Sequence, residues 1–246
     1  MKALNKLRIP DSRTCSGWFW LAVLGLAGML ATLVWLRRRT DRATLQRRFW
    51  DVAYDRLAAL YDAVDWFTGN TTHRLRLRGM RALPSDGARL LEIGFGSGKL
   101  HAELAGRYTL AGLDRAPGMV RLTRARLDAR GLTSDLRVGD ATALPWPDGA
   151  FDAVLSTFAF SAFPDADAAL DEMVRVVKPG GKVIIVDAGV PPDGNPAARF
   201  LAWLWELFGD YIRDEALLLR ARGLTVSRED YGPWGCVHVS VGEKGF

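Results

Sequence analysis

A chain of 246 residues, 49% hydrophobic and 25% charged, is long enough for one α/β domain with an extension, and its composition is that of a globular protein. Its two cysteines, Cys15 and Cys236, and three histidines, His73, His101 and His238, are scattered, so neither a disulfide framework nor a metal site is expected. The net charge of +5 hides an asymmetry: residues 1–50 hold ten Lys/Arg against only Asp11 and Asp41, and the remainder is mildly acidic, which argues against nucleic acid as a partner.

Residues 1–15 read as a basic tail. The stretch SGWFWLAVLGLAGMLATLVWL, residues 16–36, then carries no charge in 21 positions. As a helix it would span roughly 30 Å, the thickness of a bilayer core. Trp18 and Trp20 mark one end and Trp35 the other, as interfacial aromatics do. A signal peptide fits less well: the run is long, no small-residue cleavage site closes it, and Arg37, Arg38 and Arg39 follow directly. A transmembrane helix is therefore expected, followed by a basic juxtamembrane linker over residues 37–48. Positive charge is heavier after the run than before it. The expected topology is single-pass in the inner or plasma membrane, with the domain at 49–246 in the cytoplasm. Some of these arginines can also sit against anionic headgroups.

Residues 49–67 read as a helix. Beyond them short apolar runs alternate with helical stretches. Strands are expected at Arg89–Ile93, Leu110–Asp114, Leu136–Val138, Phe151–Ser156 and Lys182–Asp187, and helices near Lys99–Arg107, Gly118–Arg130 and Ala166–Val177. Such alternation implies an α/β fold with a parallel sheet and right-handed crossovers. Two closing strands are expected in GLTVSRED and CVHVSVGEK, joined by YGPWG.

LLEIGFGSGK, at residues 90–99, places three alternate glycines at a strand-to-helix turn. It is no Walker loop, since Ile93 stands where the first glycine is needed and Leu100 follows the lysine. Nor is it a dinucleotide fingerprint, because Lys99 takes the last glycine position. The glycines permit positive φ and close backbone approach, and the following helix N-terminus suits a carboxylate. Glu92 would repel a phosphate but attract an ammonium. An amino acid carries both groups, which points to the methionine end of S-adenosylmethionine. Asp114, ending the second strand, can accept from both ribose hydroxyls. Asp140, ending the third, can accept from the adenine amino group.

LLEIGFGSGK, AGLDRAPGMV, GDATALPWPDGAFDAV and VVKPGGKVIIVD, in this order, resemble the motifs of class I S-adenosylmethionine-dependent methyltransferases. The resemblance runs from about Tyr54 to the C-terminus. It implies a Rossmann-like, seven-stranded, mostly parallel sheet with helices on both faces and one antiparallel strand near the edge, preceded here by the transmembrane helix. It also implies that Glu92, Gly94, Phe95 and Gly96 line the methionine moiety, that Asp114 binds ribose with Arg115 and Met119 flanking the adenosine, that Asp140 and Ala141 meet adenine, and that Ser156 and Thr157 sit by the transferable methyl. YDRLAALYDAVDWFTGNTTHRLRLRGM and the tail GPWGCVHVSVGEK resemble the ubiquinone/menaquinone C-methyltransferase group, and bacterial phosphatidylethanolamine N-methyltransferases share much of this pattern.

ARFLAWLWELFGDYI, at residues 198–212, is apolar on most sides and admits two readings. It is either a buried crossover helix or a lid that meets a greasy substrate or a membrane surface. With an anchor in the chain, the expected acceptor is a small lipophilic molecule such as a quinone or phospholipid. The alternative is a membrane-tethered binding or scaffold protein with this fold and no turnover. Methyl transfer is an in-line displacement that rests on positioning, and a base is required only where the acceptor must lose a proton. His73, His238, Tyr54 and Tyr61 are the candidates for that role; His101, early in a helix, reads as a surface residue.

Overall fold

A computed structural model describes residues 71–246. The apolar run at 16–36, the linker at 37–48, the helix expected at 49–67, and with it Tyr54 and Tyr61, lie outside the described residues. Among the described residues no helix is long and apolar enough to cross a membrane.

In chain order the elements are α1 (Thr71–Arg76), β1 (Arg89–Ile93), α2 (Lys99–Leu104), β2 (Thr109–Asp114), α3 (Pro117–Asp128), β3 (Asp135–Val138), β4 (Phe151–Thr157), α4 (Ala166–Val176), β5 (Val177–Ala188), α5 (Pro196–Phe208), α6 (Glu215–Ala221), β6 (Thr225–Tyr231) and β7 (Val237–Glu243). The strands form one seven-stranded sheet in the order β3-β2-β1-β4-β5-β7-β6. β7 runs antiparallel to both its neighbours, and every other pairing is parallel. The strand order reverses between β1 and β4. Open sheets of this kind bind ligands in the crevice at that reversal, beyond the carboxyl ends of the strands.

Local chemistry accounts for the elements. The inner strands are unbroken apolar runs because helices cover both of their faces. α4 starts where the Asp165 carboxylate accepts from Ala168 N–H, and it buries Ala166, Ala169, Leu170, Met173 and Val176, spaced as one helical stripe. These pack with Leu91, Ile93, Val154, Val183 and Ile185 on one face of the sheet. Leu90, Leu110, Leu155, Ile184, Val186 and Val239 form the core on the other. Each fully buried aliphatic side chain contributes roughly 1.5–3 kcal/mol.

Two boundaries differ from the sequence reading by three residues or more. The Lys99–Arg107 helix ends at Leu104, so α2 has only six residues and its dipole supplies little to an anion at its start. The strand expected from Lys182 begins five residues earlier, at Val177, so that Lys178-Pro-Gly-Gly forms the first part of β5. Gly180 N–H donates to Lys244 O (2.8 Å) and Lys244 N–H to Gly181 O (3.0 Å), which carries the strand through the irregularity.

α5 fits neither single reading of its sequence. Ala198 and Ala202 are buried while Phe200 and Trp203 are 59% and 50% exposed and stack on each other at 5.8 Å. Small residues let the helix backbone approach the sheet, and the large rings are left on the outer side.

Candidate active site

The loop after β1 is locked from three sides. Gly94, Gly96 and Gly98 have φ of 69°, 55° and 73°, the left-handed region. A Cβ on Gly94 would run into Ala159, and one on Gly98 into Thr123. Gly96 is different: nothing lies within 4 Å of where its Cβ would stand. Gly94 N–H donates to Leu113 O (2.8 Å), Gly96 N–H to Asp114 Oδ2 (2.8 Å), and Thr123 Oγ to Gly96 O (3.1 Å). The loop is thus tied to β2 and α3 with its Gly96 side open.

Asp114 ends β2 beside this loop and is 8% exposed. Its Oδ1 accepts from Ala116 N–H at 2.9 Å. Burial holds its carboxyl above the ordinary carboxylate range, against the pull of the Ala116 and Gly96 N–H groups, and the nearby Glu92 adds to the rise. Asp140 follows β3 and is exposed. Its Oδ1 accepts from Thr142 N–H (3.0 Å) and Thr142 Oγ (2.9 Å), and the Thr142 N–H bond draws its pKa below the usual value. The segment beyond it is clamped by Arg175 of α4, which donates to Leu144 O and Trp146 O and pairs with Glu172 and Asp148. The ends of β1, β2 and β3 therefore bring Gly96, Asp114 and Asp140 to one edge of the sheet.

Other predicted residues stand elsewhere. Glu92 is buried beneath the loop with Oε2 at 2.9 Å from His101 Nδ1. His101 is not a surface residue: it is fully buried, and its Nε2 lies 2.9 Å from Ser134 Oγ. Ser134 spends its one hydrogen on Leu110 O (2.7 Å), so His101 Nε2 is the donor to it. The Phe95 ring packs on His101 at 5.1 Å and into the core with Ala102, Val120, Leu127 and Leu136, leaving its backbone to the loop. Arg115 is exposed, whereas Met119 and Ala141 are buried. Ser156 and Thr157, at the end of β4, are buried in the sheet, and Phe158 next to them has a φ of 51°. Such a conformation is strained for a bulky residue and is common at functional strand ends.

Of the two described base candidates, His73 Nε2 lies 3.2 Å from Glu103 of α2. His238, second in β7, is fully buried with Nε2 on Glu215 Oε2. The sequence reading passed over Asp187, Glu215 and Ser161. Asp187 carried a signal, since it ends an apolar strand as Asp114 does. Glu215 carried none, because an acid after an Asp cap reads as an ordinary first-turn residue.

The comparisons agree with this geometry. Residues 91–185 match the family model described as a methyltransferase domain. The chain is 40% identical over 116 residues to a demethylmenaquinone methyltransferase of Thermus thermophilus, covering 46% of this chain and 53% of the relative. It is 32% identical over 199 residues to a malonyl-[acyl-carrier protein] O-methyltransferase of Methylococcus capsulatus, covering 76% of this chain and 70% of the relative. The solved structure of the S-adenosylmethionine-dependent methyltransferase SibL superposes with a TM-score of 0.61 at 23% identity, over 78% of this chain and 62% of that one. The chain spans about half the length of the first curated relatives it matches. With a matching domain model, and a relative matched over more than two thirds of its length, the chain belongs to the S-adenosylmethionine-dependent methyltransferases.

Proposed function

We propose that this protein moves a methyl group from S-adenosylmethionine to a small lipophilic acceptor of the quinone or phospholipid kind, and that residues 16–36 anchor it in the inner or plasma membrane with its domain in the cytoplasm. The observation that carries the reading is the edge formed by Gly96, Asp114 and Asp140: an open glycine cradle, a buried carboxylate oriented by two backbone N–H groups, and an exposed carboxylate fixed by Thr142. That donor and acceptor set fits S-adenosylmethionine. Gly94, Gly96 and the Phe95 backbone would line its methionine part, with Glu92 holding that loop from beneath through His101; Asp114 would take its ribose with Arg115 and Met119 alongside, and Asp140 and Ala141 its adenine, with Ser156 and Thr157 toward the methyl. Bound there, it supplies an electrophilic methyl on a sulfonium. The chain's own task is to orient the acceptor and exclude water.

Three features support a lipophilic acceptor. The apolar run at 16–36 would raise the local concentration of a membrane-borne molecule without any new contact. α5, which follows β5, presents Phe200 and Trp203 outward. A relative is named for demethylmenaquinone. The test uses the purified full chain with labelled methyl donor and vesicles holding either a demethylated menaquinone or phosphatidylethanolamine. Label is expected in one of these lipids, and calorimetry is expected to show binding of S-adenosylmethionine and its demethylated product. No heat with the methyl donor, but tight binding of NAD or ATP, would sink the reading.

A second expected result separates acceptor from donor. Replacing Phe200 and Trp203 by serine is expected to lower the rate on vesicle-borne acceptor at least five-fold and to leave methyl-donor affinity within two-fold. Both rings are half exposed, so the helix keeps its buried Ala198 and Ala202 contacts and the fold should survive. Equal rates for parent and variant would remove α5 from acceptor recognition.

A further inference from the structure

On the face of the sheet that carries α4 and α6, four buried side-chain atoms meet no hydrogen-bond partner: Ser156 Oγ, Ser240 Oγ, His238 Nδ1 and Glu215 Oε1. Strand register explains why they lie near one another. Ser156, Ile185 and Ser240 are paired across β4, β5 and β7, and one step nearer the carboxyl end of β5 Asp187 pairs with His238, which pairs in turn with Asp230. Glu215, first in α6, reaches His238 Nε2. Native interiors leave few such atoms unsatisfied, and those that occur mark functional or hydrated places.

Asp187 stands at the centre of this group and is 1% exposed. Its carboxyl accepts from Ser161 N–H (2.8 Å), Ala188 N–H (2.8 Å) and Ser161 Oγ (2.9 Å). Ser161 Oγ also lies 3.3 Å from Asp210 Oδ1. Ser161 has one hydrogen and serves one carboxyl at a time, so a proton on the other carboxyl completes both contacts. Asp210 is only part-buried and sits two residues past the end of α5, the helix with the outward aromatic pair. A line of oxygens therefore runs from the end of α5 through Ser161 to the carboxyl end of β5, beside β4 and its Ser156–Thr157 terminus.

We propose that Asp210, Ser161 and Asp187 form a proton relay for the methyl acceptor, and that the acceptor is one whose reacting atom bears a proton that it must lose. This rests on the methyl-transfer reading above. In the step, an electron pair of the acceptor forms the new bond to the methyl carbon, and the carbon–sulfur bond breaks with its pair left on sulfur. The acceptor's proton goes to Asp210. Ser161 accepts that proton while its own hydrogen passes to Asp187, which restores the Asp210 carboxylate. Reversal of the relay after product leaves returns the proton to water. Carbon acids, phenols, thiols and primary or secondary amines qualify as acceptors; tertiary amines and thioethers do not.

Electrostatics supports the inner store. Burial pushes the Asp187 carboxyl up to about 7, and the Glu215 carboxyl adds to the rise, against the pull of the Ser161 and Ala188 N–H groups. Burial also raises Asp210. The charged and titratable groups around Asp187 are Glu215 of α6 with its cap Asp214, His238 of β7, Arg228, Asp230 and Tyr231 of β6, and Arg213 and Asp210 between α5 and α6. The relay takes a proton only while Asp187 is ionised, so the rate should rise with pH through about 7 and then level off.

Infrared titration of the full chain in detergent tests the store without turnover. A protonated-carboxyl band that disappears as pH rises through neutrality is expected, and it should be missing in Asp187→Asn. The kinetic arm uses a short-chain demethylated menaquinone and, separately, phosphatidylethanolamine. Asp187→Asn and Ser161→Ala are expected to lower kcat at least ten-fold with methyl-donor affinity within two-fold, to flatten the rise with pH, and to be partly rescued in Asp187→Glu. A band that persists in Asp187→Asn, or variants with the parent's rate and pH profile, overturns the relay. Should the parent methylate neither probe, the acceptor reading fails and the infrared result still decides for or against the proton store. Ser161→Ala keeps the backbone N–H that holds Asp187, so it separates loss of the relay from loss of the fold.

Discussion

His101→Ala is expected to lower folding stability by about 3–5 kcal/mol, the usual cost of leaving one partner of a buried pair alone. Glu92 and His101 are both shielded from water and 2.9 Å apart. Removing the imidazole leaves Glu92 facing an apolar gap, takes the donor from Ser134, and strips the Phe95 ring of its neighbour. Little can move in to compensate. Gly112 of β2 has no side chain because a Cβ there would stand 2.7 Å from the His101 ring. Urea unfolding of parent and variant, at equal slope, measures the loss directly. Replacing Glu92 and His101 together by leucine and phenylalanine should cost less than His101→Ala alone, since no charge is then left buried without a partner. A loss under 1 kcal/mol for His101→Ala would mean that the pair does not hold the loop.

This pair also marks the limit of what the amino-acid order reveals. Glu92 and His101 are nine positions apart, one on a strand and one on a helix, and no periodicity couples them. In KLHAEL three of the first four residues are buried, so the inward face of α2 is wide enough to include a histidine that reads as an outer one. The sheet was legible for the opposite reason. Its inner strands are covered on both sides, which forces continuous apolar runs between turn signals, and Arg89–Ile93 coincides with β1 residue for residue. The glycines, Asp114 and Asp140 were legible because ligand-facing loops at strand ends demand special backbone angles and short acids at fixed intervals. α5 was ambiguous because apolarity alone does not say which side faces inward. That is decided by Ala198 and Ala202, whose small size brings the backbone down and turns Phe200 and Trp203 out. Asp187, Ser161 and Glu215 meet only through strand register and the return of α6 onto β7, a long-range arrangement with no local trace. The anchor expected at residues 16–36 rests on sequence alone, since it lies outside the described residues.

Asp114→Ala is expected to weaken binding of S-adenosylmethionine by on the order of 2 kcal/mol, about thirty-fold, by the usual worth of hydrogen bonds to a charged group. Two effects combine. The ligand loses an acceptor at the end of β2, and the loop loses the carboxylate that receives Gly96 N–H and Ala116 N–H, each 2.8–2.9 Å away. The two effects can be separated. Asp114→Asn keeps one carbonyl oxygen for a backbone donor but turns an N–H₂ toward the other, so it should bind the donor more weakly than the parent and unfold at a lower urea concentration, and comparing its losses of affinity and of stability with those of Asp114→Ala apportions the two effects. Asp114→Ala should be weaker still and modestly less stable. Asp140→Ala is the control at the neighbouring strand end. Its carboxylate is exposed, held by the Thr142 N–H and hydroxyl and near the Arg115 charge, so the expected loss of affinity is smaller, under ten-fold. Calorimetric titration of the four proteins with S-adenosylmethionine, at the same pH and salt, reads all of these. If Asp114→Ala binds within three-fold of the parent, the carboxylate serves only to hold the loop and the ribose must be gripped by other groups.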